Sequence, residues 1–264
     1  MKKFLGSMFY QKRVPSSLVF FGKEGIGKRE LAFELATSLL CLEEAYPPCG
    51  KCESCKHMED FRKKKQEELS YYGEDRKGKS VFLYLRGSHP DFVYLLPEKA
   101  EIKIDQIRGV KDFVYLNPAL SRRKVVLVER AESMNAYAQN ALLKVLEEPP
   151  PDTHFLLVTG NLQKILPTVR SRSFLLEVPP LTQKELKELT GIEDPLILEL
   201  SEGSLEMARS LKEDRELLNT LKVLMEGPVL TLYRKALEVE KWEQERQYLL
   251  LKLLQSLLHR KYVE

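Results

Sequence analysis

The apolar run Leu18-Val19-Phe20-Phe21 passes without a break into Gly22-Lys23-Glu24-Gly25-Ile26-Gly27-Lys28, and a helical pattern follows in "RELAFELATSLL". Few local sequences constrain a fold so tightly. A strand, a glycine-rich turn and a helix in immediate succession form half of a parallel βα unit. The spacing Gly-x-x-x-x-Gly-Lys is that of a phosphate-binding loop, in which backbone N–H groups between Gly22 and Gly27 cradle oxygens and Lys28 neutralises charge. The next position calls for Ser or Thr, whose hydroxyl ligates the magnesium carried by a nucleotide. Arg29 stands there, and a guanidinium cannot ligate a cation.

Residues 1 to about 178 continue in the same mode. The β-rich runs "SLVFF", "DFVYLL", "KVVLVE", "HFLLVT" and "SFLLEV" alternate with helical patterns, which predicts a parallel α/β sheet. Between two of them, "NAYAQNALLKVLEE" gathers Ala138, Ala141, Leu142, Val145 and Leu146 on one helical face before Pro149-Pro150-Pro151 stops it. At "VPPLTQKEL" the regime changes. Thr182 and Glu185 form a capping box, Gly191 closes that helix, and the remainder is helical only. The last helix, from about Val239, is apolar at Trp242, Leu249, Leu250, Leu253, Leu254, Leu257 and Leu258. That stripe suits packing on its own domain, and it is broad enough for contact on more than one side. Residues 56–86 interrupt the α/β pattern with nine Lys/Arg, six Asp/Glu and three tyrosines. They read as a solvated insertion, with contact to nucleic acid as the alternative.

All four cysteines fall between Cys41 and Cys55. Such crowding, without a secretory leader, points to metal rather than disulfides. The apolar stretch at the N-terminus is cut short by Gln11-Lys12-Arg13, and no window offers the ~18 apolar residues of a membrane span. The expected compartment is the cytoplasm. Cys41, Cys49, Cys52 and Cys55 supply four thiolates, two of the three intervals being C-x2-C, which suits tetrahedral Zn²⁺ with no ligand position left for catalysis. The expected cofactor is therefore a structural zinc, with His57 close by but not needed as a ligand. A net charge of +3 excludes a histone-like or strongly acidic protein.

A working nucleotide site also needs a second strand ending in an acidic pair, one member for magnesium and one for the attacking water. "KVVLVERAE" ends in Glu129 and then Arg130, so a cation replaces the water-activating acid. The degenerate nucleotide site thus comprises Gly22, Gly27, Lys28, Arg29, Glu129 and Arg130, and binding of ATP is doubtful.

The segment "AESMNAYAQNALLKVLEEPPPDTHFLLVTGNLQKILPTVRSRSF" resembles the central part of bacterial clamp-loader AAA+ subunits, which pair such a helix, ending in EEPP, with a Ser-Arg-Cys motif after the next strand. The cysteine module and "GSHPDFVYLLPE" resemble the same family, and the resemblance spans residues 15–175. Its degenerate loop and acidic pair are most similar to the delta-prime type of DNA polymerase III, whereas gamma/tau types keep intact ATPase motifs. Three departures stand out. The motif reads Ser171-Arg172-Ser173, Glu206 stands where family ATPases carry a sensor arginine in the lid, and the insertion at 56–86 has no family counterpart.

The resemblance implies an AAA+ α/β domain over residues 1–178 with a zinc module at about 41–58, a small helical lid over 179–212, and a helical collar segment over 213–264. It implies an accessory subunit without ATPase activity of its own, acting with gamma/tau and delta subunits to load the sliding clamp on primed DNA. Arg172 would be an arginine finger donated to a neighbour's site, Arg170 being the less favoured candidate. Two other readings stay open: a gamma-like subunit that hydrolyses ATP, and a zinc-dependent nucleic-acid-binding module.

Overall fold

The computed structural model describes residues 1–75 and 77–263; Arg76, inside the charged insertion, and Glu264, at the end of the 213–264 segment, lie outside the described residues. In chain order the elements of the first unit are α1 (Lys2–Tyr10), β1 (Ser17–Phe21), α2 (Lys28–Leu40), α3 (Glu53–Lys63), α4 (Gln66–Leu69), β2 (Ser70–Glu74), β3 (Ser80–Leu85), β4 (Phe92–Leu95), α5 (Ile104–Val114), β5 (Lys124–Val128), α6 (Ala136–Glu147), β6 (Thr153–Thr159), α7 (Pro167–Arg170) and β7 (Phe174–Glu177). They form a seven-stranded sheet in the order β2-β3-β4-β5-β6-β1-β7. From β4 to β7 every pairing is parallel, with β1 held between β6 and β7.

β5 is buried along its whole length and β6 nearly so, as strands covered on both faces must be, and this explains their unbroken apolar sequences. One face is covered by α1, α2 and α3, whose Leu5, Leu35, Leu40 and Met58 meet Leu18, Phe20 and Leu127 of the sheet. The other is covered by α5 and α6, whose Ile107, Val110, Leu142 and Val145 meet Val19, Val126 and Phe155. The helical face expected at 138–146 is indeed the inner one.

The insertion at 56–86 departs from expectation. Its first part is α3, with Met58 and Phe61 buried, and its second part is the hairpin β2–β3, which extends the sheet in antiparallel pairing. Phe82, Leu83, Tyr84 and Leu85 are buried. The apolar run "VFLYL" outweighs its charged flanks, because Asp75, Lys77 and Lys79 lie in the turn between the two strands and need no burial.

The second unit is residues 180–264. It is all helical: α8 (Gln183–Thr190), α9 (Pro195–Leu200), α10 (Leu205–Glu213), α11 (Arg215–Glu226), α12 (Val229–Val239) and α13 (Gln244–Val263). The Thr182/Glu185 box and the left-handed Gly191 bound α8 as the sequence predicts. Leu186, Leu200, Leu211, Leu221, Leu250 and Leu253 share its core. The last helix starts at Gln244 rather than Val239, because Gln247 Nε2 donates to the carbonyls of Val239, Glu240 and Trp242 and so closes the end of α12. Leu250 and Leu253 of the predicted stripe face this unit's own core, while Leu258 stays exposed.

Candidate functional site

The loop of residues 22–27 lies at the carboxyl end of β1, next to the ends of β6 and β7. This is the end of a parallel sheet where ligand sites gather. Gly22 adopts φ +143°, and a Cβ there would stand 2.5 Å from the carbonyl oxygen of Val178, so only glycine fits between the strands. Lys28 opens α2 but does not reach outward. It is buried, and its Nζ donates to the carbonyl of Gly22 at 2.7 Å and to that of Lys23. Burial draws its pKa below the ordinary lysine range, against the opposing pull of Glu24 and Glu132. The ammonium is thus spent on the loop's own backbone. Glu24, within the loop, lies against Gly160 at the end of β6 and adds negative charge where a phosphate would sit.

Arg29 turns toward the acid at the end of β5. Its guanidinium is 3.1 Å from Glu30 and 3.6 Å from Glu129 Oε1, and the Tyr94 hydroxyl donates to Glu129 Oε2. Burial works against the guanidinium charge, but Glu30 and Glu129 outweigh it and hold the pKa above its ordinary value. Both oxygens of Glu129 are therefore engaged, one by a cation and one by a phenol. Of the sequence-predicted set, Gly22, Gly27, Lys28, Arg29 and Glu129 meet at this end of the sheet. Arg130 is exposed in a left-handed conformation, with no ion pair among the described residues. Tyr94 was not foreseen; the hint was a phenol within the otherwise aliphatic end of β4.

The four cysteines converge as their spacing requires. Cys41 ends α2 and Cys52 caps α3, where its sulfur accepts from the Cys55 N–H at 3.4 Å. Every pair of sulfurs lies within 4.8 Å, with Cys41–Cys52 at 4.0 Å and Cys49–Cys55 at 3.8 Å. A disulfide would need about 2.05 Å. A tetrahedron with Zn–S bonds of about 2.3 Å has edges of about 3.8 Å, so the group is the right size to hold one metal ion. Backbone N–H groups of Lys51 and Cys52 pull the Cys49 thiol down to about 6, whereas burial pushes Cys55 up. His57 pairs with Glu53 at 3.6 Å and stays outside the group.

Behind the cysteines runs a buried network that sequence reading missed. His89 Nδ1 accepts from the Asp91 N–H at 3.1 Å, which leaves the proton on Nε2, 2.8 Å from Ser54 Oγ. Ser54 and Ser121 both donate to the carbonyl of Leu40, the residue before Cys41, at 2.7 Å. Asp91 accepts from the N–H groups of Ala119, Leu120 and Ser121 at 2.7–2.8 Å. Burial lowers His89 to about 4 and keeps it neutral. The only signal was the clustered His89-Pro90-Asp91 before β4.

Arg172 lies elsewhere. Phe174 pairs in register with Leu18, and Ser173 Oγ is 2.7 Å from Ser17 Oγ, so Arg172 stands by the amino end of β1, opposite the loop. Its guanidinium is 2.8 Å from Glu147 at the end of α6 and donates to the Thr168 carbonyl at 3.0 Å. Arg170, at the end of α7, is half-buried.

The family model described as DNA polymerase III, delta subunit matches residues 1–182. A DNA polymerase III subunit delta' from Pseudomonas aeruginosa is 40% identical over 157 residues, which is 58% of this chain and 40% of that one. The Bacillus subtilis subunit delta' is 32% identical over 70% of this chain and 49% of its own length. The chain belongs to the DNA polymerase III delta-prime family. Gamma and tau/gamma subunits also match. A solved gamma subunit-related protein from Thermotoga maritima superposes with a TM-score of 0.50 at 23% identity, over 98% of this chain and 73% of that one. This likeness is one of fold, and it agrees with the parallel α/β sheet expected from the sequence. The chain spans about half the length of the delta-prime relatives it matches. Among the described residues no helix is long and apolar enough to cross a membrane.

Proposed function

We propose that this chain is a non-hydrolysing delta-prime subunit of a clamp loader, which helps load the sliding clamp on primed DNA. In this reading it works in the cytoplasm beside gamma/tau and delta subunits and lends Arg172 to a neighbouring ATPase subunit. Residues 1–178 are its AAA+ domain, 179–212 its lid and 213–264 its collar segment. The observation that carries the reading is Arg29 seated against Glu129. Hydrolysis needs a metal bridging a hydroxyl on α2 and an acid on β5, and a carboxylate to polarise water. Arg29 takes up the acid and cannot ligate metal, Arg130 cannot act as a base, and Lys28 is bonded to the loop itself.

Arg172 cannot serve its own loop. The five residues of β1 separate the two ends by about 16 Å at about 3.3 Å per residue. A guanidinium on the rim suits a neighbour's site instead, where its planar fork can span phosphate oxygens as charge develops. Beside it on the edge strand β7, Phe174 is 44% and Leu175 39% exposed, which suits a protein surface as partner. The cysteines fit zinc by number, sulfur donors and spacing. Zinc, when bound, supplies a cross-link between the end of α2 and the start of α3, and the closed ligand set leaves it no part in catalysis.

Two measurements test the reading. The isolated chain is expected to show no magnesium-dependent ATP turnover; about 1 per minute, abolished by Lys28→Ala, would make it a gamma-like ATPase instead. In the assembled complex, Arg172→Ala is expected to lower hydrolysis at the adjacent site by about 10³-fold, with poor rescue by Arg172→Lys. Unchanged rates in a complex shown intact by sizing would refute the finger role.

A further inference from the structure

In the described structure Arg172 is not idle. Its Nη2 lies 2.8 Å from Glu147 Oε1, and its Nη1 donates to the Thr168 carbonyl at 3.0 Å and to Ser171 Oγ at 3.3 Å. Two of these three tethers come from the turn that carries the arginine. The third comes from α6, at the last residue before Glu148 and the three prolines. Pro149-Pro150-Pro151 cannot continue a helix, so Glu147 is fixed at a helix terminus. Its side chain is 47% exposed and that of Arg172 36%.

We propose that Glu147 is a positioning residue that holds the Arg172 guanidinium in reserve and yields it to phosphate only when a neighbour's site closes on this rim. This rests on the finger reading of Arg172. A carboxylate in contact with a guanidinium cancels most of the charge that a finger has to offer. A half-exposed pair of this kind is weak, so the multiply charged phosphates of a bound nucleotide can displace it. The Thr168 and Ser171 contacts remain through the exchange and keep the arginine on the rim while its outer edge changes partner. Glu147 thus sets how readily the finger engages and leaves unaltered what it does once engaged.

The test uses the clamp-loader complex assembled with this chain, measuring ATP hydrolysis as primed DNA is titrated in the presence of the clamp. Glu147→Gln keeps the shape and removes the charge. Half-maximal stimulation is then expected at about two- to fivefold lower DNA concentration, the range a surface ion pair supports, with the plateau rate within twofold of wild type. Glu147→Asp, which restores the carboxylate, is expected to return the midpoint part of the way. An unchanged midpoint overturns the proposal, and so does a fall in the plateau, which would mean that Glu147 acts in the engaged state. Circular dichroism, metal content and sizing of each variant separate these results from misfolding. Arg172→Ala in the same titration separates the two ideas. If it leaves the plateau intact, the finger reading fails and this inference with it; if it lowers the plateau while Glu147→Gln does nothing, only the role of Glu147 fails.

Discussion

At position 29 a guanidinium stands where a metal-ligating hydroxyl is required, and Glu30 and Glu129 hold it. What Arg29 does instead depends on partners far along the chain, since Tyr94 is 65 and Glu129 100 residues away. The same holds for His89. Burial lowers its pKa from 6.5 to about 4, against the opposing pull of Asp91. The unfolded chain therefore binds a proton at a higher pH than the folded one does. Stability from this residue is fully present above about pH 6.5 and is lost as the pH falls toward 4, on the order of 3 kcal/mol in all. Denaturant midpoints between pH 7 and 4 should fall more steeply for the wild type than for His89→Gln, which cannot titrate. The variant should also start lower at pH 7, because Ser54 and the Asp91 N–H lose a well-placed partner. Parallel curves would show that another group sets the acid limit.

At the scale of elements, periodicity located β1, β4, β5, β6 and β7 and the inner face of α6, because each pattern is decided by neighbours in the chain. It failed for the hairpin β2–β3, where a charged turn separates the two strands and the pairing is irregular between Tyr71 and Tyr72. The cysteine module was the most legible element, since four thiols within fifteen residues have few ways to be satisfied. Metal analysis is expected to give about one zinc per chain, and Cys52→Ser to lower both metal content and melting temperature. The damage should spread from α3 to the Leu40 carbonyl and the 119–121 loop, because Ser54 and Asp91 bind those segments to the module. Full zinc in Cys52→Ser would exclude the four-cysteine ligand set.

Across the whole molecule, protection follows burial. β5 is covered along all five of its residues, whereas α12 buries none of its described residues and leaves Val229 82% and Leu230 68% exposed. Native-state hydrogen exchange should therefore be slowest in β5 and β6, approaching the global unfolding rate, and fastest in α12, by several orders of magnitude. Exchange in α12 as slow as in β5 would mean that a partner, or a second copy, covers that helix in solution. Residue patterns could not have foretold this, because α12 is as amphipathic in sequence as the helices that are covered.

The Arg29–Glu129 contact puts a tethered partner where a diffusible one is expected. A free magnesium ion arrives and leaves with its nucleotide, so an ordinary site of this type samples the concentrations around it. Here the cation is a side chain, and its effective concentration at the carboxylate is set by a few bonds of tether. It cannot be diluted, chelated or exchanged. The positive partner of Glu129 is therefore present whatever the concentration of magnesium or nucleotide around it. On the proposed reading, a subunit built this way keeps no time of its own.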